Sequence, residues 1–285
     1  MIEPVLPDYG GACIDSVVPA LLRWRRPPPE WLPEPARDVQ QVVLLVLDGL
    51  GWEQLREHAD AAPVIAAMVG GPITSVAPTT TAAALTSIST GRPPAEHGVV
   101  GYRVHVGGGQ VMNVLRWRTS DGDARETVLP HAFQPLAVFD STAPPVVSRS
   151  AFAATGFTEA HLGGVRLVGW STPSTLVVTV RDLLRAGEPF VYAYYDGIDK
   201  VAHEFGLEAH YRAELQYADR LVADLLAELP SGAALVVTSD HGQVDVGERV
   251  VALAPSVAAE VSFVSGEGRF RWLHVQRGAA DRVAA

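Results

Sequence analysis

The feature that most limits the folds open to this chain is the run Gln41-Val42-Val43-Leu44-Leu45-Val46-Leu47, which ends on Asp48-Gly49. β-Branched and aliphatic residues without alternation suit a strand buried on both faces, and such strands belong to parallel sheets covered by helices. The same design recurs at Phe190–Tyr195, followed by Asp196-Gly197, and at Ala234–Thr238, followed by Ser239-Asp240-His241-Gly242. Helical patterns separate these runs, at Thr81 to Thr90, Ser174 to Ala186 and Tyr211 to Leu229. In the last of them Leu215, Leu221, Val222, Leu225 and Leu226 share one face. Strand–helix alternation predicts an α/β sandwich on a mostly parallel central sheet.

Composition narrows the function classes. With 48% hydrophobic and 19% charged residues over 285 positions, the chain can bury a large core and is not of the disordered type. The single cysteine, Cys13, excludes an internal disulfide framework and a Cys-rich zinc module. A net charge of −10 has the wrong sign for a dedicated nucleic-acid binder. It leaves room for an enzyme that handles phosphates through bound cations, which invert the local charge. No uncharged apolar run approaches the roughly 20 residues that span a bilayer, so no membrane contact is expected. The first residues lack a basic stretch followed by an apolar one, so a cytoplasmic location is expected.

Residues 26–35, RPPPEWLPEP, hold five prolines and no periodicity, which predicts an extended connector. Residues 1–40, with a short apolar patch from Val17 to Trp24, are expected to form an arm packed on the domain that follows. That domain is expected to span 41–285, with 102–165, rich in Gly, Pro and polar residues, as a cap over the site. The Gly107-Gly108-Gly109 run has no following helix and no Lys, so it is not a P-loop.

Ligands of open α/β sheets sit beyond the carboxyl ends of the strands. Here three strands end in acidic residues followed by glycine or histidine, and a convergent acidic edge repels itself unless a cation sits in it. A single such Asp is as readily a cap for the next helix. Asp199 and His203 stand four residues apart, so on a helix they share a face and can hold one ion. A lone pair of this spacing is more often a surface ion pair than a ligand set. Asp240-His241 offers a second carboxylate and imidazole, and Asp48 a third carboxylate. Asp and His together suit a divalent ion such as zinc, with manganese the alternative. Five candidate ligands exceed the usual share of one catalytic zinc, about three, and predict two ions.

A nucleophile is available in Pro78-Thr79-Thr80-Thr81-Ala82-Ala83-Ala84-Leu85, which reads as a helix start. A hydroxyl in the first turn lies beside free backbone N–H groups that can hold a phosphate oxygen. For Thr79 and Thr80 the competing role is N-capping.

These residues resemble the alkaline phosphatase superfamily, and within it the type I phosphodiesterase/nucleotide pyrophosphatase family. The likeness rests on LLVLDGLG (44–51), PTTTAAALTSISTGRPPAEHGVVGY (78–102), YYDGIDKVAHEFG (194–206) and VVTSDHGQVD (236–245). It implies the three-layer fold of that superfamily and a hydrolase of phosphodiesters or nucleotide pyrophosphates acting on small molecules. It further implies Thr81 as nucleophile, one metal held by Asp48, Thr81, Asp240 and His241, and a second held by Asp199 and His203. Family members carry a phosphate-donating Asn where this chain has Ala84. They also take a further metal ligand from a downstream HG motif, and none follows His241, so that segment is expected beyond Ala285. His274 reads as a strand residue instead. Alternatives on the same fold are a phosphomonoester, phosphonate or sulfate ester hydrolase, or a non-catalytic metal- or phosphate-binding protein with an incomplete second site.

Overall fold

Gln41–Leu47 forms a strand, β1, and its residues from Val43 to Leu47 are fully shut off from solvent. The reason lies on both sides of it. Val42, Leu44 and Val46 enter one apolar cluster and Val43, Leu45 and Leu47 enter another, because successive side chains of a strand point to opposite faces. The computed structural model describes residues 4–22 and 27–284. The other strands of the sheet are β2 (Pro145–Arg149), β3 (Arg166–Trp170), β4 (Phe190–Tyr195) and β5 (Ala233–Thr238). Their order is β3-β2-β4-β1-β5, and every pairing is parallel.

Helices cover both faces, giving three layers. On one face lie α1 (Thr81–Thr90) and α2 (Gly156–Leu162). On the other lie α3 (Pro173–Arg185) and α5 (Ala209–Ala227), with Ile198 of the intervening α4 (Gly197–Phe205). The expected helices therefore appear within two residues of their expected bounds.

Within the first 40 residues, Cys13, Ile14, Val17, Val18, Ala20 and Leu21 are buried in the same cluster as α1. Trp24 and Arg26, which fall in the expected patch and connector, lie outside the described residues.

The span 102–165 divides in two, and both parts send side chains into the α1 cluster, Val104, Met112 and Trp117 from the first and Phe157 from the second. Arg103–His105, Val111–Asn113, Arg118–Thr119 and Gly122–Asp123 make a small antiparallel meander. Pro145–Arg149 is a strand of the central sheet beside β4, and α2 packs in the core. The strand escapes a sequence reading because it holds only two consecutive Val behind a Pro, and a short run signals no strand by itself. A hairpin of β6 (Val261–Gly266) and β7 (Arg271–Val275) follows the sheet. His274 lies in β7, stacked on Phe263 and bonded to Ser265 Oγ at 2.8 Å, a strand residue as expected.

Two buried histidines lock the α1–α2 side. His97 Nδ1 accepts from the Val99 N–H at 3.1 Å, so its Nε2–H donates to Ser87 Oγ at 2.8 Å and pins the turn after α1. His161 donates from Nδ1 to the Phe157 carbonyl at 2.6 Å and stacks on the Phe157 ring. Burial pushes each imidazole down to about 4. Between the ordinary value of 6.5 and about 4, the unfolded chain therefore binds protons that the folded chain refuses. Stability then falls as pH falls through that window, by about 3 kcal/mol per histidine when complete. Urea unfolding of the His161→Leu variant is expected to show a shallower loss of stability between neutral and acid pH than the parent. Equal slopes would mean that His161 is not neutral in the fold.

Candidate functional site

Register decides where the acidic strand ends meet. Val46 lies opposite Tyr194 of β4 and Thr238 of β5, so the residues just beyond these positions reach one sheet edge together. The turn after β1 is tight. Gly49 has φ +76°, and a Cβ there would fall 3.1 Å from the Asp199 Cα and 2.6 Å from Gln243 Nε2. Gly51 and Gly242 touch backbone to backbone, a Cβ on Gly51 falling 2.6 Å from the Gly242 Cα. The glycines of the two strand-end motifs thus let the loops after β1 and β5 close on each other.

Asp48 and Asp240 are buried, and each has one oxygen satisfied. Asp48 Oδ2 accepts from the Tyr194 hydroxyl. Asp240 Oδ1 accepts from the backbone N–H of Gly49 at 3.2 Å and of His241 at 3.0 Å. The other oxygens, Asp48 Oδ1 and Asp240 Oδ2, are buried with no hydrogen-bond partner. Both lie near one imidazole nitrogen: His241 Nε2 is 3.4 Å from Asp48 Oδ1, 3.7 Å from Asp240 Oδ2 and 3.9 Å from Asp199 Oδ1. Ligand atoms of Asp48, Asp199 and His241 all fall within 4.8 Å of one another.

Electrostatics express the crowding. Burial, then the charges of Asp240 and Asp199, raise Asp48 well above the usual carboxylate range, against the pull of the Tyr194 hydroxyl. For His241, burial is the largest single influence and favours the neutral ring, yet Asp240 and Asp199 together raise it overall. The His241 Nδ1 lies 3.0 Å from the Gly242 carbonyl and donates to it, so in the neutral ring the lone pair sits on Nε2 and faces the carboxylates. Unpartnered buried carboxylate oxygens around a nitrogen lone pair are the donor set of a divalent cation, so the residues present fit one.

Thr81 joins this group from the far side of the sheet edge. It is the first residue of α1, and its Oγ1 lies 3.0 Å from His241 Nε2. The expected N-capping does not occur. Thr80 occupies the cap position without a side-chain bond to the helix, and Thr79 Oγ1 donates to the Val76 carbonyl at 2.6 Å. The first-turn N–H groups of α1 therefore have no side-chain cap.

Asp199 and His203 share a face of α4, with Asp199 Oδ1 3.4 Å from His203 Nε2. The two differ sharply in setting: the Asp199 side chain is 18% exposed and the His203 side chain 74%. Asp196 turns away and pairs bidentately with Arg149, whose guanidinium lies over the Trp170 ring.

Four residues at this edge carry no sequence signal of their own. Besides Tyr194, Gln243 Nε2 donates to Asp199 Oδ1 at 2.7 Å. Gln54 clamps Gln243 in turn through both backbone groups, at 3.0 and 3.1 Å. The fourth, Glu267, hangs from the β6–β7 turn beside Thr80 and His241 and accepts from the Tyr102 N–H; burial raises it against those partners.

The sequence profile of the type I phosphodiesterase/nucleotide pyrophosphatase family matches residues 42–182 and 187–284. Among solved structures, the chain is similar to murine ectonucleotide pyrophosphatase/phosphodiesterase 5 at 16% identity. An inactive threonine-to-alanine variant of that mouse protein in complex with AMP is similar at 15%. Each likeness covers 86% of this chain and 68% of the other, with a TM-score of 0.56, and shows a shared fold. No curated protein is significantly similar in sequence. Among the described residues no helix is long and apolar enough to cross a membrane.

Because Asp48 and Asp240 repel each other without a cation, the metal-free protein is expected to gain about 1–3 kcal/mol on Asp48→Asn. Added Zn²⁺ is expected to raise the melting temperature of the parent and to leave that of the variant nearly unchanged. Equal metal responses would exclude Asp48 as a ligand.

Proposed function

The chain belongs to the type I phosphodiesterase/nucleotide pyrophosphatase family, hydrolases that use divalent metals, and on that footing we propose that it cleaves small phosphodiesters or nucleotide pyrophosphates with Thr81 as nucleophile. The observation that carries this reading is the pair of unpartnered buried oxygens, Asp48 Oδ1 and Asp240 Oδ2, gathered around the imidazole that touches Thr81 Oγ1.

Asp48, Asp240 and His241, with Thr81, would hold one divalent ion, and Asp199 with His203 a second. Their mixed Asp/His character favours zinc over manganese. When bound, such ions favour the ionised hydroxyl and offset charge developing on the transferred phosphoryl group. Asp199 borders both sets, since its Oδ1 faces His241 as well as His203. Gln243 fixes it there.

The uncapped first turn of α1 directs backbone N–H groups at the place where a phosphate oxygen would sit. Thr81 Oγ1 gives up its proton to solvent and bonds to phosphorus while the bond to the leaving oxygen breaks in line. The result is a phosphothreonine ester and a released alcohol or nucleotide. Water then attacks phosphorus, the bond to Thr81 Oγ1 breaks, and the hydroxyl is restored as a phosphomonoester departs.

Thr81→Ala is expected to abolish turnover of bis(4-nitrophenyl) phosphate, a loss of at least about 10³-fold, while the metal content per chain stays near that of the parent. Turnover at the parental rate would remove Thr81 from the nucleophile role.

A further inference from the structure

We infer that Glu267 is a charge-selecting residue of this site, biasing it against dianionic phosphomonoesters and toward monoanionic diesters; this rests on the hydrolase reading above. The residue lies in a Gly-Glu-Gly turn between β6 and β7, and three features build that turn into the site. Gly266 has φ +94°, and a Cβ there would lie 2.3 Å from the Phe270 carbonyl oxygen, so a tight glycine turn carries Glu267. Trp272 Nε1 donates to the Val100 carbonyl at 2.9 Å and fastens β7 to the loop that follows α1. Glu267 Oε1 takes the Tyr102 N–H, at a place where a Cβ on Gly101 would stand only 3.2 Å away.

The carboxylate so held lies near the hydroxyl of Thr80, the residue before the nucleophile, and within electrostatic reach of His241. It is not one of the clustered ligand groups, which are Asp48, Asp199 and His241. The nearby cation Arg271 acts on it more weakly than Tyr102, Thr80 or His241 does. Three carboxylates, Asp48, Asp199 and Asp240, together with an ionised Thr81 would balance two divalent ions, so Glu267 would leave a net negative charge beside the nucleophile. A diester brings one negative charge to that spot and a monoester brings two. A fixed carboxylate beside the nucleophile therefore penalises the monoester more.

The test compares the metal-loaded parent with Glu267→Gln, which keeps an oxygen for the Tyr102 N–H and removes only the charge. The ratio of kcat/KM for 4-nitrophenyl phosphate to that for bis(4-nitrophenyl) phosphate is expected to rise about threefold. Metal content is expected to stay unchanged. By calorimetry, inorganic phosphate at alkaline pH should bind about tenfold more tightly to the variant, and monoanionic dimethyl phosphate only about threefold more tightly. A residue that merely held the loop would slow both esters together, and an unchanged ratio overturns the inference. Loss of metal in the variant also overturns it, making Glu267 a ligand. If the parent hydrolyses neither ester, the hydrolase reading fails, and the phosphate-binding comparison alone then decides the role of Glu267.

Discussion

The rest of this structure is arranged around two carboxylates that a folded protein without a cation would avoid. Asp48 and Asp240 are buried at the carboxyl edge of the sheet, each with one oxygen satisfied and one without a partner. Leaving a buried acceptor unsatisfied costs on the order of 1–3 kcal/mol, and more for a charge. That cost is tolerable only in a rigid frame. β1 supplies it, since five of its residues are wholly buried between two apolar clusters, and the in-register parallel pairing with β4 and β5 leaves no freedom to slide the strand ends apart. A one-residue slip would exchange the two faces of β1 and move Asp48 out of the edge.

Around this core, each neighbour has a definable task. Backbone N–H groups of Gly49 and His241 and the hydroxyl of Tyr194 satisfy one oxygen of each acid and thereby orient the other. The Gly242 carbonyl sets the His241 tautomer, and Gln54 and Gln243 hold Asp199. The helix bearing Thr81 starts without a side-chain cap, which keeps its N-terminus available to an anion. His97, far from any metal role, keeps the other end of that helix in place through Ser87.

Much of this was legible in the chain. The runs at 41–47, 190–195 and 234–238 announce strands because uninterrupted β-branched and aliphatic residues have no other common use at that length. Asp48 and Asp240 were visible as strand-end acids, His241 as the imidazole beside one of them, and Asp199 and His203 as a helical pair. The strands at Pro145–Arg149 and Arg166–Trp170 were not legible: one is short and opens on Pro, the other is interrupted by Gly169 and half-exposed. Both lie on the side of the sheet away from β1, where fewer residues need be apolar on both faces. Tyr194, Gln54, Gln243 and Glu267 escaped for a different reason, since a tyrosine in a strand or a glutamine in a loop has no periodicity that betrays its partner.

By itself, the sequence determined the α/β class, the strands that bear the acids and the residue types that gather at their ends, because hydrophobic pattern and chemical identity are local. Only the tertiary structure decided which of those groups meet. Register set the distances among Asp48, Asp240, His241 and Thr81, burial left two oxygens unpaired, and the packing of a distant hairpin brought Glu267 beside Thr80. Distances between residues up to 193 positions apart, as between Asp48 and His241, arise from strand pairing and packing, which no single stretch of the chain encodes.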